Sequence, residues 1–258
     1  MAVTNERTHT NRQRAESFGT RAAQYDRVRP GYPDALFDDL LALGLGEVLD
    51  VGCGTGKAAV PLAARGLRVL GVEIDERMAA VARSHGVAVE VAAFESWDDA
   101  GRRFDLVVSG QAWHWVDPAR GARKVALVLR PAGHLALFWN VGGFHPEVRR
   151  RMDDVYISTA AELKDSAAVA GARLSTTVDP TRVQLQAAGL SRQRTATYRW
   201  RRAYTRAQWL ELLATHSDHA TLAPEVFARL RKRVSELIDD LGGSIAIEYV
   251  TRLLLVSR

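Results

Sequence analysis

A glycine-rich segment between a predicted strand and a predicted helix carries the strongest chemical signal in this sequence. Residues 49–57 read LDVGCGTGK. Glycines at such a turn let the backbone bend sharply and approach a ligand closely, and the helix start offers free amide donors. A phosphate-binding P-loop would need glycine at position 51 and serine or threonine at position 58, where the chain has Val51 and Ala58. A nucleoside triphosphate is therefore not the expected ligand.

Two carboxylates accompany the glycines. Asp50 stands directly before them, and Glu73 ends the second predicted strand, 21 residues after Gly52. An ionised carboxylate makes two charge-assisted hydrogen bonds to a vicinal diol and repels a ribose 2′-phosphate. Two alternatives remain open at this point. The carboxylates cap the helices that follow them, or the nominal match to G-x-G-x-x-A over residues 54–59 marks a dinucleotide site.

These features resemble the class I S-adenosylmethionine-dependent methyltransferases. Residues 25–33, 104–118 and 128–140 look like the small-molecule members related to trans-aconitate methyltransferase. The resemblance implies S-adenosyl-L-methionine as cofactor, with the glycine loop around its methionine part, Glu73 on both ribose hydroxyls and residues 93–95 beside the adenine. The cofactor contacts that it implies are Tyr25, Asp50, Gly52, Cys53, Gly54, Gly56, Glu73, Ile74, Met78, Ala93, Phe94, Ser109, Gln111 and Trp113.

His114 is the candidate catalytic residue. It follows the fourth predicted strand, at the carboxyl edge where open α/β sheets bind ligands. A hydroxyl or a protonated amine acceptor would need a base, whereas a carboxylate acceptor is already ionised at pH 7. The alternative is that His114 hydrogen-bonds the backbone and shapes its loop. Trp115, Trp139 and Asn140 lie near the ends of strands four and five and are the predicted acceptor contacts.

The elements that must position these residues alternate regularly along the first half of the chain. Near-continuous apolar strands, each followed by a helix, predict a parallel sheet covered on both faces. The resemblance implies a seven-stranded Rossmann-like α/β sheet, mostly parallel, with the last strand antiparallel. The predicted strands are 47–51, 67–73, 87–91, 104–109, 134–140, 193–201 and 244–257. The predicted helices include 15–25, 57–65, 76–85, 117–129, 146–170, 179–188 and two that start at Thr205 and Pro224.

The chain is expected to form a single domain over residues 1–258. Its predicted core comprises residues 34–140 with the strands 191–203 and 244–257. Helical segments at 15–32, 144–188 and 205–241 are predicted to form a lid. Such a lid would exclude water and restrict acceptors to small molecules or thin chains.

Composition narrows the classes of protein further. The 258 residues are 47% hydrophobic and 25% charged, as in an ordinary globular protein. A single cysteine, a polar start and no long apolar run favour a cytoplasmic protein without a membrane span. The formal charge is +5, but the basic residues, all but four of them arginine, are scattered, so nucleic acid is not an expected partner. No metal site is expected, and a monomer or a homodimer fits equally well.

The preferred function is methyl transfer to a small organic acceptor, with a carboxylate or hydroxyl oxygen favoured. C- or N-methylation of a natural-product small molecule stays open, as does a non-catalytic module that binds S-adenosylmethionine. Nucleic-acid methylation is the remaining alternative. It is disfavoured because enzymes that methylate exocyclic base amines commonly carry an Asp/Asn/Ser-Pro-Pro-aromatic motif after strand four, where this chain has SGQA at residues 109–112.

Overall fold

The computed structural model describes residues 22–44, 46–163, 180–216 and 219–257. It contains a seven-stranded sheet with the strand order β3-β2-β1-β4-β5-β7-β6. The strands are β1 (Glu47–Val51), β2 (Arg68–Glu73), β3 (Ala88–Val91), β4 (Phe104–Gly110), β5 (Leu129–Gly143), β6 (Arg192–Thr205) and β7 (Ser244–Ser257).

The pairing confirms the predicted fold class. Strand β1 pairs in parallel with β2 and β4, β2 with β3, and β4 with β5. Strand β7 pairs antiparallel with both β5 and β6. The chain order reverses direction between β1 and β4, and ligands of open α/β sheets bind outside the strand carboxyl ends at such a point.

The α-helices of the described segments cover both faces of this sheet. They are α1 (Ala22–Val28), α2 (Asp34–Leu41), α3 (Ala59–Ala64), α4 (Glu76–Ser84), α5 (Pro118–Val128), α6 (Pro146–Thr159), α7 (Pro180–Ala187), α8 (Arg206–Leu213) and α9 (Pro224–Asp240). Side chains of α2 and α3 pack on one face, and those of α5 and α7 pack on the other. The two faces shield β1, β4 and β5, which explains their apolar sequences.

Helix α7 differs from the predicted lid assignment of residues 144–188. Leu185 in this helix and Leu190 after it are fully buried in the cluster that holds Val125 and Val128 of α5. Burying these leucines against the sheet removes their apolar surface from water. Helix α7 is therefore part of the core layer, not of the lid.

Strands β5 and β6 run further than predicted, whereas β7 has the predicted bounds 244–257. Strand β5 reaches Gly143, and β6 reaches Thr205, so both extend beyond the parallel part of the sheet. This extension and the helices α6, α8 and α9 share a second apolar cluster. Of the predicted helix 146–170, residues 146–159 are helical, and residues 164–179 lie outside the described residues, as do residues 15–21 of the predicted helix 15–25.

Strand β6 forms an outer edge of the sheet. Over its 14 residues it pairs with β7 only. Arg192, Arg194, Arg199 and Arg201 along it are exposed. Helix α8 begins directly after it with the predicted capping box, in which the Thr205 hydroxyl and the Gln208 side chain each accept a backbone amide.

Within the described residues, no helix is long and apolar enough to cross a membrane. No group of three or more histidine, cysteine, aspartate or glutamate side chains among them could hold a metal ion.

We expect Gly71→Ala to destabilise the fold by about 1–3 kcal/mol, because the core has no room for the added methyl group. A Cβ atom at this position of β2 would lie 2.6 Å from the Cys53 Sγ atom and 3.3 Å from Val89. Urea denaturation measures the change. Gly46→Ala is the matched control, since a Cβ there meets only ordinary contacts at 3.6 Å or more. Equal stability of the two variants would show that the contact with Cys53 relaxes freely.

Candidate active site

The glycine loop after β1 is held close to the loop after β4. Gly52, Gly54 and Gly56 have φ values of +66°, +56° and +89°, a region that side chains disfavour. A Cβ atom on Gly52 would lie 2.6 Å from the Cβ atom of Ala112. Glycine is required at position 52 for both reasons, and the close approach joins the two loops at the carboxyl edge.

The Glu73 carboxylate connects the glycine loop to the end of β2. Its Oε2 atom accepts a hydrogen bond from the Gly54 amide at 2.8 Å. Its Oε1 atom accepts from the amides of Ile74 and Asp75 at 2.9 and 3.0 Å. A carboxylate has about four acceptor sites, so the side chain retains one for a ligand. Asp75, rather than Glu73, supplies the side-chain cap of α4, which answers the capping alternative for Glu73.

The Asp50 carboxylate receives fewer hydrogen bonds from the described residues than the Glu73 carboxylate does. Its side chain is 1% exposed, and neither carboxylate oxygen makes a hydrogen bond of ordinary geometry to the described residues. Burial and the negative charge of Glu73 raise the pKa of Asp50 to about 7. A buried carboxylate without donors is costly, so this group is suited to a cationic or hydrogen-bonding ligand.

Tyr32 is a site residue that the sequence reasoning did not single out. Its hydroxyl and ring fill the space over Gly110 at the end of β4, where a Cβ atom would lie 2.5 Å from the hydroxyl oxygen. The ring packs edge-on against Phe138, with centroids 4.6 Å apart. Burial, followed by the charges of Tyr25 and Asp50, raises the pKa of Tyr32, so the phenol is neutral at pH 7.

Several predicted site residues lie at the end of β4 or in the loop that follows it, and their environments differ. Ser109 is fully buried, and its hydroxyl donates to the Val51 carbonyl at 2.8 Å. Gln111 is a non-glycine residue at φ +58°, and its side chain donates to the Asn140 carbonyl at 3.2 Å. Backbone strain of this kind gathers at functional sites. The partly buried rings of His114 and Trp115 lie together, with centroids 4.9 Å apart.

Trp113 and Trp139 both pack against the core of the sheet. Trp113 is 1% exposed and packs in the core near Phe94, with ring centroids 6.3 Å apart. Trp139 is partly buried against the same core cluster. The rings of Trp113 and Phe94 therefore have structural packing partners, and their cofactor contacts stay predictions, as does the acceptor contact of Trp139.

Asn140 belongs to a hydrogen-bond chain across the last three strands of the sheet. Its Nδ2 atom donates to the Gly31 carbonyl at 2.8 Å, and its Oδ1 atom accepts from the Thr251 hydroxyl at 2.6 Å. Thr251 in turn accepts from Trp200 Nε1 at 2.8 Å. The amide thus positions the segment before α2, and its predicted acceptor contact would have to share these bonds.

The remaining predicted cofactor residues surround the glycine loop. Met78 is buried, and its methyl group would lie 3.5 Å from a Cβ atom on Gly54. Cys53 is buried with its sulfur against Gly71, in agreement with a space-filling role, and burial raises the pKa of its thiol. Ile74 and Ala93 are partly exposed at the ends of β2 and β3.

Helix α1, which carries Tyr25, is fixed to both the core and the inserted helices. Asp26 forms an ion pair with Lys57 of the glycine loop at 3.1 Å, and its other oxygen contacts His85 at 2.8 Å. On the opposite side, Gln24 donates to the Glu211 carbonyl of α8 at 3.2 Å. The helix therefore contacts both the glycine loop and the inserted helix α8.

The structure thus brings the predicted residues Asp50, Gly52, Gly54 and Glu73 together directly, and Ser109 and Gln111 lie on the adjoining β4 edge. This edge offers a polar ligand a buried carboxylate with acceptor capacity left, a second carboxylate without hydrogen-bond partners among the described residues, and glycines that admit close approach.

Comparison with known proteins bears on this arrangement. Residues 49–137 match a family model described as a methyltransferase domain. An uncharacterized methyltransferase of Mycobacterium tuberculosis is 42% identical over 141 residues, which are 52% of this chain and 56% of the relative. The chain thus spans little more than half the length of this relative and of the other mycobacterial methyltransferases that it matches.

Solved structures share the fold. A candidate type II methyltransferase from Anaeromyxobacter dehalogenans superposes with a TM-score of 0.62 at 22% identity, covering 88% of this chain and 97% of that chain. Phosphoethanolamine N-methyltransferase 2 from Haemonchus contortus, solved with S-adenosyl-L-methionine, superposes with a TM-score of 0.55 at 16% identity, covering 97% and 60%. The chain has the methyltransferase fold.

Asp50→Asn is expected to stabilise the protein at pH 8. The pKa of about 7 in the folded state lies above the ordinary 3.8, so stability is lost as pH rises between these values. The amide does not ionise, and the advantage of the variant should grow with pH to at most about 4 kcal/mol. Urea denaturation at pH 5 and pH 8 measures the difference.

Asp75→Asn is the control, because hydrogen bonds from Arg77 lower the pKa of Asp75. Its carboxylate therefore contributes stability at neutral pH that is lost on acidification. We expect this variant to be less stable than the wild type at pH 8. An advantage of Asp50→Asn that does not change with pH would contradict the ionisation of Asp50.

Proposed function

We propose that this chain, whose residues 49–137 match a methyltransferase domain, transfers a methyl group from S-adenosyl-L-methionine to a small organic acceptor, with a carboxylate or hydroxyl oxygen favoured. The observation that carries the proposal is the pair of buried carboxylates, Asp50 and Glu73, on either side of a glycine loop at the point where the strand order reverses. The methyltransferase domain match and the shared fold support it.

The residues fit the cofactor by their chemistry. The Glu73 carboxylate has one acceptor site free for a ribose hydroxyl. A second acceptor site would become free for the other hydroxyl when the Gly54 amide gives up its hydrogen bond to this carboxylate. Asp50 has two free acceptors for the positively charged methionine part. When bound, the cofactor supplies an electrophilic methyl group on a sulfonium sulfur. No side chain of the protein needs to generate that electrophile.

The protein contributes position, dryness and, for some acceptors, a base. Methyl transfer gains most from holding the acceptor in line. The inserted helices α6, α8 and α9 over the extended strands exclude water from that side and favour a small acceptor. His114 on the adjoining loop would accept the proton of a hydroxyl or amine acceptor, whereas a carboxylate would need no base.

Glu73→Ala should weaken binding of S-adenosyl-L-methionine by about 1–3 kcal/mol, because the ribose loses its charged acceptor and the Gly54 amide loses its tether. Titration calorimetry measures the affinity. Glu76→Ala is the matched control at the start of α4, where the exposed carboxylate pairs with Arg83. If the two variants bind the cofactor equally well, the ribose assignment of Glu73 is wrong.

The acceptor is tested with methyl-labelled S-adenosylmethionine, incubated with a metabolite extract and separately with total RNA. Label in small molecules that base removes indicates a carboxyl ester, and base-stable label indicates oxygen of a hydroxyl, nitrogen or carbon. Label in RNA would overturn the small-acceptor proposal. Cofactor binding without any transfer of label would favour a non-catalytic binding module.

His114→Gln separates the two roles of the histidine. With a base-stable product, we expect the variant to lower kcat by at least about 100-fold, because general-base catalysis contributes that much. With a base-labile ester, kcat should stay near that of the wild type. A large loss with an ester product would instead favour the structural role in shaping the loop.

A further inference from the structure

Two arginines lie between α1 and the extended part of the sheet, and the described residues include no acidic side chain that pairs with either. Arg29 follows α1 and donates from Nε and Nη2 to the Thr215 hydroxyl and carbonyl, at 2.9 and 2.7 Å. Arg202 lies on β6 and donates from Nη1 to the Arg29 carbonyl at 3.4 Å. Both are partly buried, and neither forms an ion pair with an acidic side chain among the described residues.

Neighbouring arginines behave differently. Arg27, two residues before Arg29, pairs with Glu211 at 3.3 Å, and Arg201, next to Arg202, pairs with Glu248 at 3.4 Å. Successive residues of a strand point to opposite faces, so Arg201 and Arg202 lie on opposite sides of β6. Partly burying a guanidinium without a counter-ion is unfavourable, and here it occurs twice at contacting residues.

Each of the two arginines also lies against a tyrosine ring, which does not neutralise the positive charge of the guanidinium group. The guanidinium of Arg29 lies 5.3 Å from the ring centre of Tyr25, and that of Arg202 lies 4.7 Å from that of Tyr204. The hydroxyls of Tyr204 and Tyr249 hydrogen-bond each other at 2.8 Å. Burial raises the pKa of both phenols, and the charges of the two arginines do not outweigh it. The phenols are therefore neutral at pH 7, and the local charge is positive.

This positive region adjoins the candidate active site. The segment that carries Arg29 continues to Gly31, whose carbonyl accepts from Asn140 at the end of β5. Tyr32, in the same segment, packs over Gly110 at the end of β4. The arginines thus lie on the same carboxyl edge as the glycine loop, on the side of the inserted helices.

The guanidinium groups retain donors for a ligand. Each has five N–H groups in a planar fork that suits an oxyanion. Within the part of the chain that the structure describes, Arg29 uses two and Arg202 uses one. An oxyanion held by two such forks loses electron density to its donors and becomes a poor nucleophile.

We propose that Arg29 and Arg202 together bind an oxyanion of the methyl acceptor, a carboxylate or phosphate that is not the group methylated. This inference rests on the proposed methyl transfer and assigns its acceptor class: a small molecule with at least one anionic group besides the reacting atom. The methylated product therefore keeps a negative charge.

The test uses the labelled reaction with metabolite extract, followed by anion-exchange separation of the products. With the wild-type protein, the labelled product should be retained on the column, which is run before any base treatment so that a labelled methyl ester stays intact. Arg202→Gln should reduce the labelled anionic product by about 10- to 100-fold, because charge-assisted hydrogen bonds to the oxyanion are lost. Labelled product in the unretained fraction would overturn the proposal.

Arg201→Gln is the matched control one residue away on the other face of β6, and it should keep the wild-type yield. Arg202→Lys keeps the charge and loses the fork, so it should recover part of the yield at a raised KM. Wild-type yield from Arg202→Gln, with the same melting temperature as the wild type, would contradict the assignment.

Binding of S-adenosylhomocysteine distinguishes this failure from failure of the proposed function. It should be unchanged in all three variants. If the wild-type protein does not bind it and transfers no label, methyl transfer itself is wrong and the acceptor assignment falls with it. If it binds and Arg202→Gln still methylates at the wild-type rate, only the role of the arginine pair is wrong.

Discussion

The Glu73 carboxylate is the contact on which the candidate site depends. Three backbone amides from two separate segments converge on one buried side chain, so the glycine loop, the end of β2 and the start of α4 share one anchor. Charge-assisted bonds of this kind are stronger than neutral ones, yet burial still raises the pKa of the group. With Asp50 beside it, the site holds two buried carboxylates whose pKa values are raised, an arrangement suited to a cationic or hydrogen-bonding ligand.

A second constraint joins this site to the inserted helices. Asp26 holds α1 to the glycine loop through Lys57, while Arg29 holds the end of the same helix to Thr215 beyond α8. The surroundings of the two ends of α1 carry charges of opposite sign. Carboxylates lie at the glycine loop, and guanidinium groups lie in the region under the inserted helices. These charges match the proposal of a positively charged methyl donor at the glycine loop and an anionic acceptor beside the arginines.

Local patterns were sufficient for the parallel half of the fold, where each strand is an apolar run and each glycine turn has a steric reason. They were insufficient where contacts between residues far apart in the sequence determine the local structure. The predicted strand 134–140 ends too early, because Gly142 continues β5 as the partner of Tyr249, whose ring leaves no room for a side chain. Tyr32 and Arg29 gave no signal because their contacts, with Gly110 and Thr215, are far away in sequence.

The outer strand β6 has a consequence for how copies of the protein behave at high concentration. A long unpaired edge is a template on which another chain can form hydrogen bonds. The exposed arginines along β6 place like charges where the edge of a second copy would align, and their repulsion disfavours sheet extension between molecules. That protection is electrostatic, and its range shrinks to about 3 Å in 1 M salt. Colloidal stability of this fold is therefore tied to ionic strength, through charges that the active site does not use.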